Sequence, residues 1–140
     1  MNILASHAAI SLSLASVLWV VQLVIYPAFR FIDPDRFDAW HYRYTGAITW
    51  IVAPLILLQT AGVAARLLFL DRPDFLWFAE CIFTTAAWAV TAFVSVPLHA
   101  KLQKQRDEEA MKTLVGSNWW RTAAWSLAAV CSWIAANQTP

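Results

Sequence analysis

Charge is missing from most of this 140-residue sequence. No Asp, Glu, Lys or Arg occurs in residues 1–29, 44–65, 81–100 or 122–140, so all ten Lys and Arg and all nine Asp and Glu fall in the short segments between. A soluble helical bundle renews a charged outer face every three or four residues. Each uncharged stretch here instead matches the roughly 20 residues that a helix needs to cross a bilayer. Other absences narrow the function. The two cysteines, Cys81 and Cys131, form no CxxC, which argues against a disulfide-forming redox enzyme and makes them buried free thiols. Catalytic serine triads, phosphate-binding loops and nucleotide fingerprints are missing. A formal charge of +1 gives no reason to expect nucleic acid as a partner.

What is present is apolar and aromatic: 60% of residues are hydrophobic, and nine Trp suit a protein whose work lies in the bilayer. The expected fold is all-α, an integral membrane four-helix bundle forming one domain over 1–140, with spans at about 4–28, 39–69, 75–102 and 108–136. The first stretch lacks a basic leader region and is too long for a cleaved signal, so it reads as a retained helix. Pro27 and Pro34 bracket its exit, Asp33-Pro34-Asp35 forms a turn, and Asp38 is the expected N-cap of the second helix. Asp71-Arg72-Pro73-Asp74 forms the next turn. Asp107-Glu108-Glu109, after Lys101, Lys104 and Arg106, puts acid and base where helix dipoles favour them. Pro54 and Pro97 lie inside spans and predict kinks. No internal repeat stands out. Eight Lys and Arg flank the first and third connections and only Arg66 and Arg72 the other side, which orients the bundle N-out/C-out with the basic side cytoplasmic. The expected location is the bacterial inner (cytoplasmic) membrane.

The polar residues of each span gather on one face. At about 100° per residue, His7, Ser11, Gln22 and Tyr26 share one arc of the first helix, and His41, Thr45, Gln59 and Arg66 a narrower arc of the second. Glu80, Thr84, Thr91, Ser95 and His99 align in the third helix, and Asn118, Arg121, Thr122 and Ser132 in the fourth, with Trp125 among them. Hydrocarbon satisfies none of these groups, so the stripes should face one another or a wet cavity.

Depth separates two groups. Nearer the basic side lie the expected catalytic residues His41, His99, Arg121 and Asn118, with Gln22, Tyr26, Thr45, Ser95, Trp119, Thr122 and Trp125 as substrate-binding residues. An Arg beside Asn and His would bind a carboxylate, a phosphate or an enolate oxygen, and two imidazoles would shuttle a proton. A deeper polar cluster comprises His7, Gln59 and Glu80. Plainer roles exist for each. Arg121 would snorkel to headgroups, and His41 would join a Trp40-His41-Tyr42-Tyr44 interfacial belt. His99 would bond a carbonyl freed by Pro97, and Glu80 would be a protonated acid bonded to Gln59 or His7. No cofactor is expected. A metal or haem would use His41 and His99, although no HxxxH or ExxH spacing supports a metal site.

Val96-Pro97-Leu98-His99-Ala100-Lys101-Leu102, a charged connection and then Asn118-Trp119-Trp120-Arg121-Thr122 resemble a pattern in the anthrone-oxygenase-like family of small four-helix membrane proteins. There a proline-polar-x-x-Leu element ends the third span and an Asn-x-x-Arg element opens the fourth. The Tyr26-Pro27 exit is similar too. His99 stands where that pattern has Asn. The resemblance implies a planar polycyclic or quinoid substrate, with Asn118, Arg121 and His99 at the matching positions, and hence an oxidoreductase of the oxygenase kind.

Together these features predict a membrane enzyme or binder for a hydrophobic small molecule, quinoid, polycyclic or isoprenoid. Its partners would be the lipid bilayer and that molecule, in a homo-oligomer or a membrane complex. The alternatives are a non-enzymatic accessory subunit of a larger complex and a small transporter using Glu80, Gln59 and His7.

Overall fold

A computed structural model describes residues 3–69 and 73–138. It is all-helical, and no strand occurs among the described residues. Four rods follow in order: α1, Ile3–Phe31; α2, Phe37–Phe69; α3, Phe75–Leu102; and α4, Glu108–Gln138. The segments Ile3–Phe31, Pro34–Leu68 and Phe75–Leu102 are long and apolar enough to cross a membrane. α4 has 31 residues, a reach of roughly 46 Å at 1.5 Å per residue. It falls short in apolarity, and Asn118, Arg121, Thr122 and Ser132 along its buried face contribute to that.

Local sequence sets most boundaries. A short 3-10 turn, Pro34–Arg36, precedes α2, and the Asp33 carboxylate caps it by accepting from the Asp35 amide at 2.9 Å. Asp38, the expected cap, already lies within the first turn of α2 and accepts from the adjacent Ala39 amide. Asp74 caps α3 through the Trp77 amide at 2.7 Å, and Asp107 caps α4 through Ala110 at 2.8 Å. Asp71 and Arg72 of the expected second turn lie outside the described residues.

Proline coincides with a widened turn in α1 and α3 but not in α2. Just before Pro27 the backbone widens into a π turn, Val21–Ile25, and just before Pro97 into another, Thr91–Ser95. In each, the residue preceding the proline donates five residues back, Tyr26 to Val21 and Val96 to Thr91. The proline itself has no N–H, so a widened turn is one way to absorb the missing bond. Pro54 sits in α2 with no such widening. The two π turns and their prolines recur at a constant spacing (21 to 91, 27 to 97), as do Arg36 and Arg106, Gly46 and Gly116, Trp50 and Trp120.

Packing is uneven around the ring. α4 lies closely against both α1 and α3, and α1 also against α2, whereas α2 and α3 touch sparsely. Trp19 of α1 donates to Ser126 of α4 at 3.1 Å, and Trp88 of α3 donates to Thr60 of α2 at 3.0 Å. Three layers fill the interior between the helices. An aromatic and aliphatic layer with Phe29, Phe37, Leu102 and Leu114 closes the basic end. A second apolar layer, with Leu14, Leu18, Ile56, Ala87 and Trp125, lies deeper. Beyond it sits a charged network around Glu80.

Candidate functional site

The far network is a closed polar knot. Glu80, with no exposed surface, accepts from Arg66 Nη1 at 2.5 Å and Ser132 Oγ at 2.8 Å, and meets His7 Nε2 at 2.6 Å. Gln59 Nε2 reaches it at 3.4 Å while donating to Thr84 at 3.1 Å. One carboxylate thus ties together α1, α2, α3 and α4. Both partners expected for Glu80, Gln59 and His7, reach it, and Arg66 joins them as a buried ion-pair partner. Arg66 shares the Gln59 face one heptad further along α2, as the polar arc of the second helix implies. Every oxygen of Glu80 is occupied by protein, so this knot locks the bundle rather than presenting a binding surface.

The basic half differs. Between α2 and α3, where packing is loosest, lies a cavity of about 460 Å³. Its walls are Ile48, Val52, Ile56, Trp88 and neighbours from those two helices, and its floor is Val21 and Tyr26 of α1 and Arg121 of α4. Such a volume suits one small molecule. His99, Thr45, Tyr44 and Gln103 ring its polar end.

Arg121 dominates that end. Only 8% of it is exposed, and its guanidinium has neither an ion pair nor a hydrogen bond among the described residues. The charge acts on Tyr26, Tyr44 and His99, all of which lie on the cavity. An unpaired buried guanidinium is costly in a bilayer and is the natural counterpart of a planar anion.

A linear chain of polar rings starts beside it. Tyr26 Oη lies 3.3 Å from His99 Nε2, and His99 Nδ1 lies 3.1 Å from His41 Nε2. His41 is wholly buried against Phe29 and Phe37, and its Nδ1 has no partner among the described residues. A neutral imidazole has one donor and one acceptor nitrogen. An orphaned buried N–H is rarer than an orphaned lone pair, which places the His41 hydrogen on Nε2. His41 then donates to His99, His99 donates to Tyr26, and the Tyr26 hydroxyl hydrogen is free to point into the cavity. Reversing all three donors is the alternative pattern, so the chain can pass a proton between its ends.

The expected site residues thus divide. Arg121, His99, Tyr26 and Thr45 line the cavity, and His41 stands behind His99. Thr45 accepts from Gln103 Nε2 at 2.9 Å. Asn118 lies on the α1 side of α4, donating to Gln22 at 2.6 Å and Thr122 at 3.2 Å, so these three form a helix–helix clamp off the cavity wall. Ser95 is buried but does not line the cavity. Trp125 belongs to the deeper apolar layer. Trp119 is half exposed and packs edge-on against Trp19, away from the cavity. Tyr44, which depth puts with the basic-side polar group, lines the cavity, and Gln103 and Trp88 belong to it without having been singled out. Among the described residues, no three His, Cys, Asp or Glu side chains come together as a metal would need. His41 and His99 stack with centroids 5.2 Å apart and bond each other directly, which leaves no room for a haem between them. Compared with known proteins, the chain matches no family model, no curated protein and no solved structure.

Proposed function

We propose that the chain is an integral protein of the bacterial cytoplasmic membrane with four spans, both termini outward and the basic end in the cytoplasm. The excess of Lys and Arg around the first and third connections supports that orientation. In α4 the polar residues are buried against α1 and α3, which supports a fourth span despite its lower apolarity. Within this frame the protein binds a hydrophobic small molecule in the α2–α3 cavity, reached sideways from the cytoplasmic leaflet. It carries out acid–base chemistry on that molecule through Tyr26 and His99.

The observation that carries this reading is the unpaired Arg121 guanidinium on an otherwise largely apolar cavity. Arg121 holds the polar group of the ligand or stabilises charge that develops on it. Tyr26 exchanges a hydrogen with it, and His99 and His41 reset the tyrosine. Trp88, Val52 and Ile56 contact the apolar body. Two arms of one experiment test this. Protein purified in mild detergent is examined by mass spectrometry for a bound hydrophobic molecule, in wild type and in Arg121→Gln and His99→Ala. A molecule carried by wild type and lost from both variants is the expected result. A stoichiometric protein partner, with identical small-molecule content in all three forms, overturns the reading in favour of an accessory subunit.

A further inference from the structure

The cavity's polar end, its shape and its depth limit the chemistry of what it holds. Arg121 contributes a single positive charge with no counterion among the described residues, and Lys101, nearby at the end of α3, is already paired with Asp107 at 2.5 Å. One free charge matches one negative charge, and the guanidinium fork matches a planar pair of oxygens, so the cavity suits a carboxylate better than a dianionic phosphate. A neutral quinone or ester would leave Arg121 uncompensated in a medium of low dielectric. In the pattern in which His99 donates to Tyr26, the Tyr26 hydroxyl is a second donor on the same cavity.

The apolar part follows from the lining. Thr45, His99 and Gln103 mark the end nearer the basic connections, while Ile56, Leu57 and Trp88 mark the end nearer the middle of the bundle. A ligand lying between α2 and α3 therefore has its charged end at headgroup depth and its apolar end toward the midplane. A single-chain lipid in the adjacent leaflet already has this orientation. It could slide through the loose seam without turning over. A volume of about 460 Å³ is small for a two-chain lipid and adequate for one chain.

We infer that the ligand is an ionised single-chain lipid acid, its carboxylate between Arg121 and Tyr26 and its chain along the α2–α3 seam. This rests on the proposed cavity function and narrows it to one ligand class. The test uses the full chain in phosphatidylcholine nanodiscs with a dansyl-labelled undecanoate as fluorescent probe. Dodecanoate, methyl dodecanoate and dodecanol compete against it. The expected result is that the probe binds and that dodecanoate displaces it roughly tenfold or more better than the ester or the alcohol. Arg121→Gln should abolish that preference and Arg121→Lys keep part of it. Ala53→Phe, which narrows the apolar wall and leaves the charge in place, should weaken all competitors alike. Equal competition by acid, ester and alcohol overturns the lipid-acid assignment and leaves the hydrophobic-ligand reading standing. If neither the probe nor any competitor binds and wild type carries no hydrophobic molecule, both fall together.

Discussion

Tyr26 and His99 meet across the bundle at the same sequence separation, 73 residues, as His7 and Glu80. α1 and α3 run parallel on opposite sides of the ring, and these two pairs mark the two polar levels between them. On straight helices the second pair would not follow from the first. Between His7 and Tyr26, and again between Glu80 and His99, a regular helix drifts by about 100°. The π turns at Val21–Ile25 and Thr91–Ser95 fall within those intervals, and each removes most of that drift. The widened turns therefore return Tyr26 and His99 to the faces that carry His7 and Glu80.

Removing Glu80 should unlock the bundle. Glu80→Ala strands the Arg66 guanidinium, 2% exposed, without its main counterion. The expected loss is about 3–5 kcal/mol, the usual result of breaking one side of a buried pair. Arg66→Met combined with Glu80→Gln should recover much of it, because neither charge of that buried pair then remains. Thermal unfolding in detergent, monitored by helical circular dichroism, reads both. An unchanged midpoint in Glu80→Ala would show that the knot contributes nothing to stability.

Gly62 is required by its neighbour. A Cβ at residue 62 would collide with the His7 ring, and that ring cannot retreat because Nε2 is pinned to Glu80. Gly62→Ala should cost about 1–3 kcal/mol, the range for overpacking. In a His7→Ala background the same substitution should be nearly neutral. A double-mutant cycle on the unfolding midpoints measures the difference, and additivity of the two changes would refute the contact.

Asp107 should set part of the acid limit of stability. It lies between the spans, where the Lys101 ammonium and then the Ala110 amide hold its carboxyl below the usual carboxylate range. A carboxyl whose folded value is depressed contributes stability above its unfolded value, and that contribution fades as the pH falls through the folded one. Asp107→Asn should therefore lower the unfolding midpoint near neutral pH and flatten its decline from about pH 5 to pH 2. Parallel wild-type and variant curves over that range would show that the cap and ion pair are not linked to folding.

Much of this architecture is legible in the residues. Charge-free stretches locate the spans because hydrocarbon excludes charge, and polar stripes turn inward for the same reason. Stripe and depth together bring His7, Gln59 and Glu80 to one level and Arg121, His99 and Tyr26 to another. They do not reveal which two helices separate. That depends on side-chain fit along each seam, so Asn118 and Gln22, though at the right level, close against each other and away from the α2–α3 cavity. Trp119 was within reach of the sequence: two residues from Arg121 it lies about 200° around α4 and faces away. The π turns were not, since Pro54 sits in α2 without one.

That contrast among the prolines yields the sharpest test of how the site is aligned. Pro97→Ala restores an N–H that can bond the Phe93 carbonyl and removes the steric reason for widening Thr91–Ser95. If the turn reverts to an α-helix, His99 rotates by roughly 90–100° and leaves both Tyr26 and His41. Imidazole nitrogen shifts from NMR of histidine-labelled protein should then report a broken Tyr26–His99–His41 chain while total helicity stays constant. Pro54→Ala is the control, because no widened turn accompanies that proline, and its imidazole spectrum should match wild type. An unaltered spectrum in Pro97→Ala would mean that packing of α3 on α4, and not the proline, holds His99 in place.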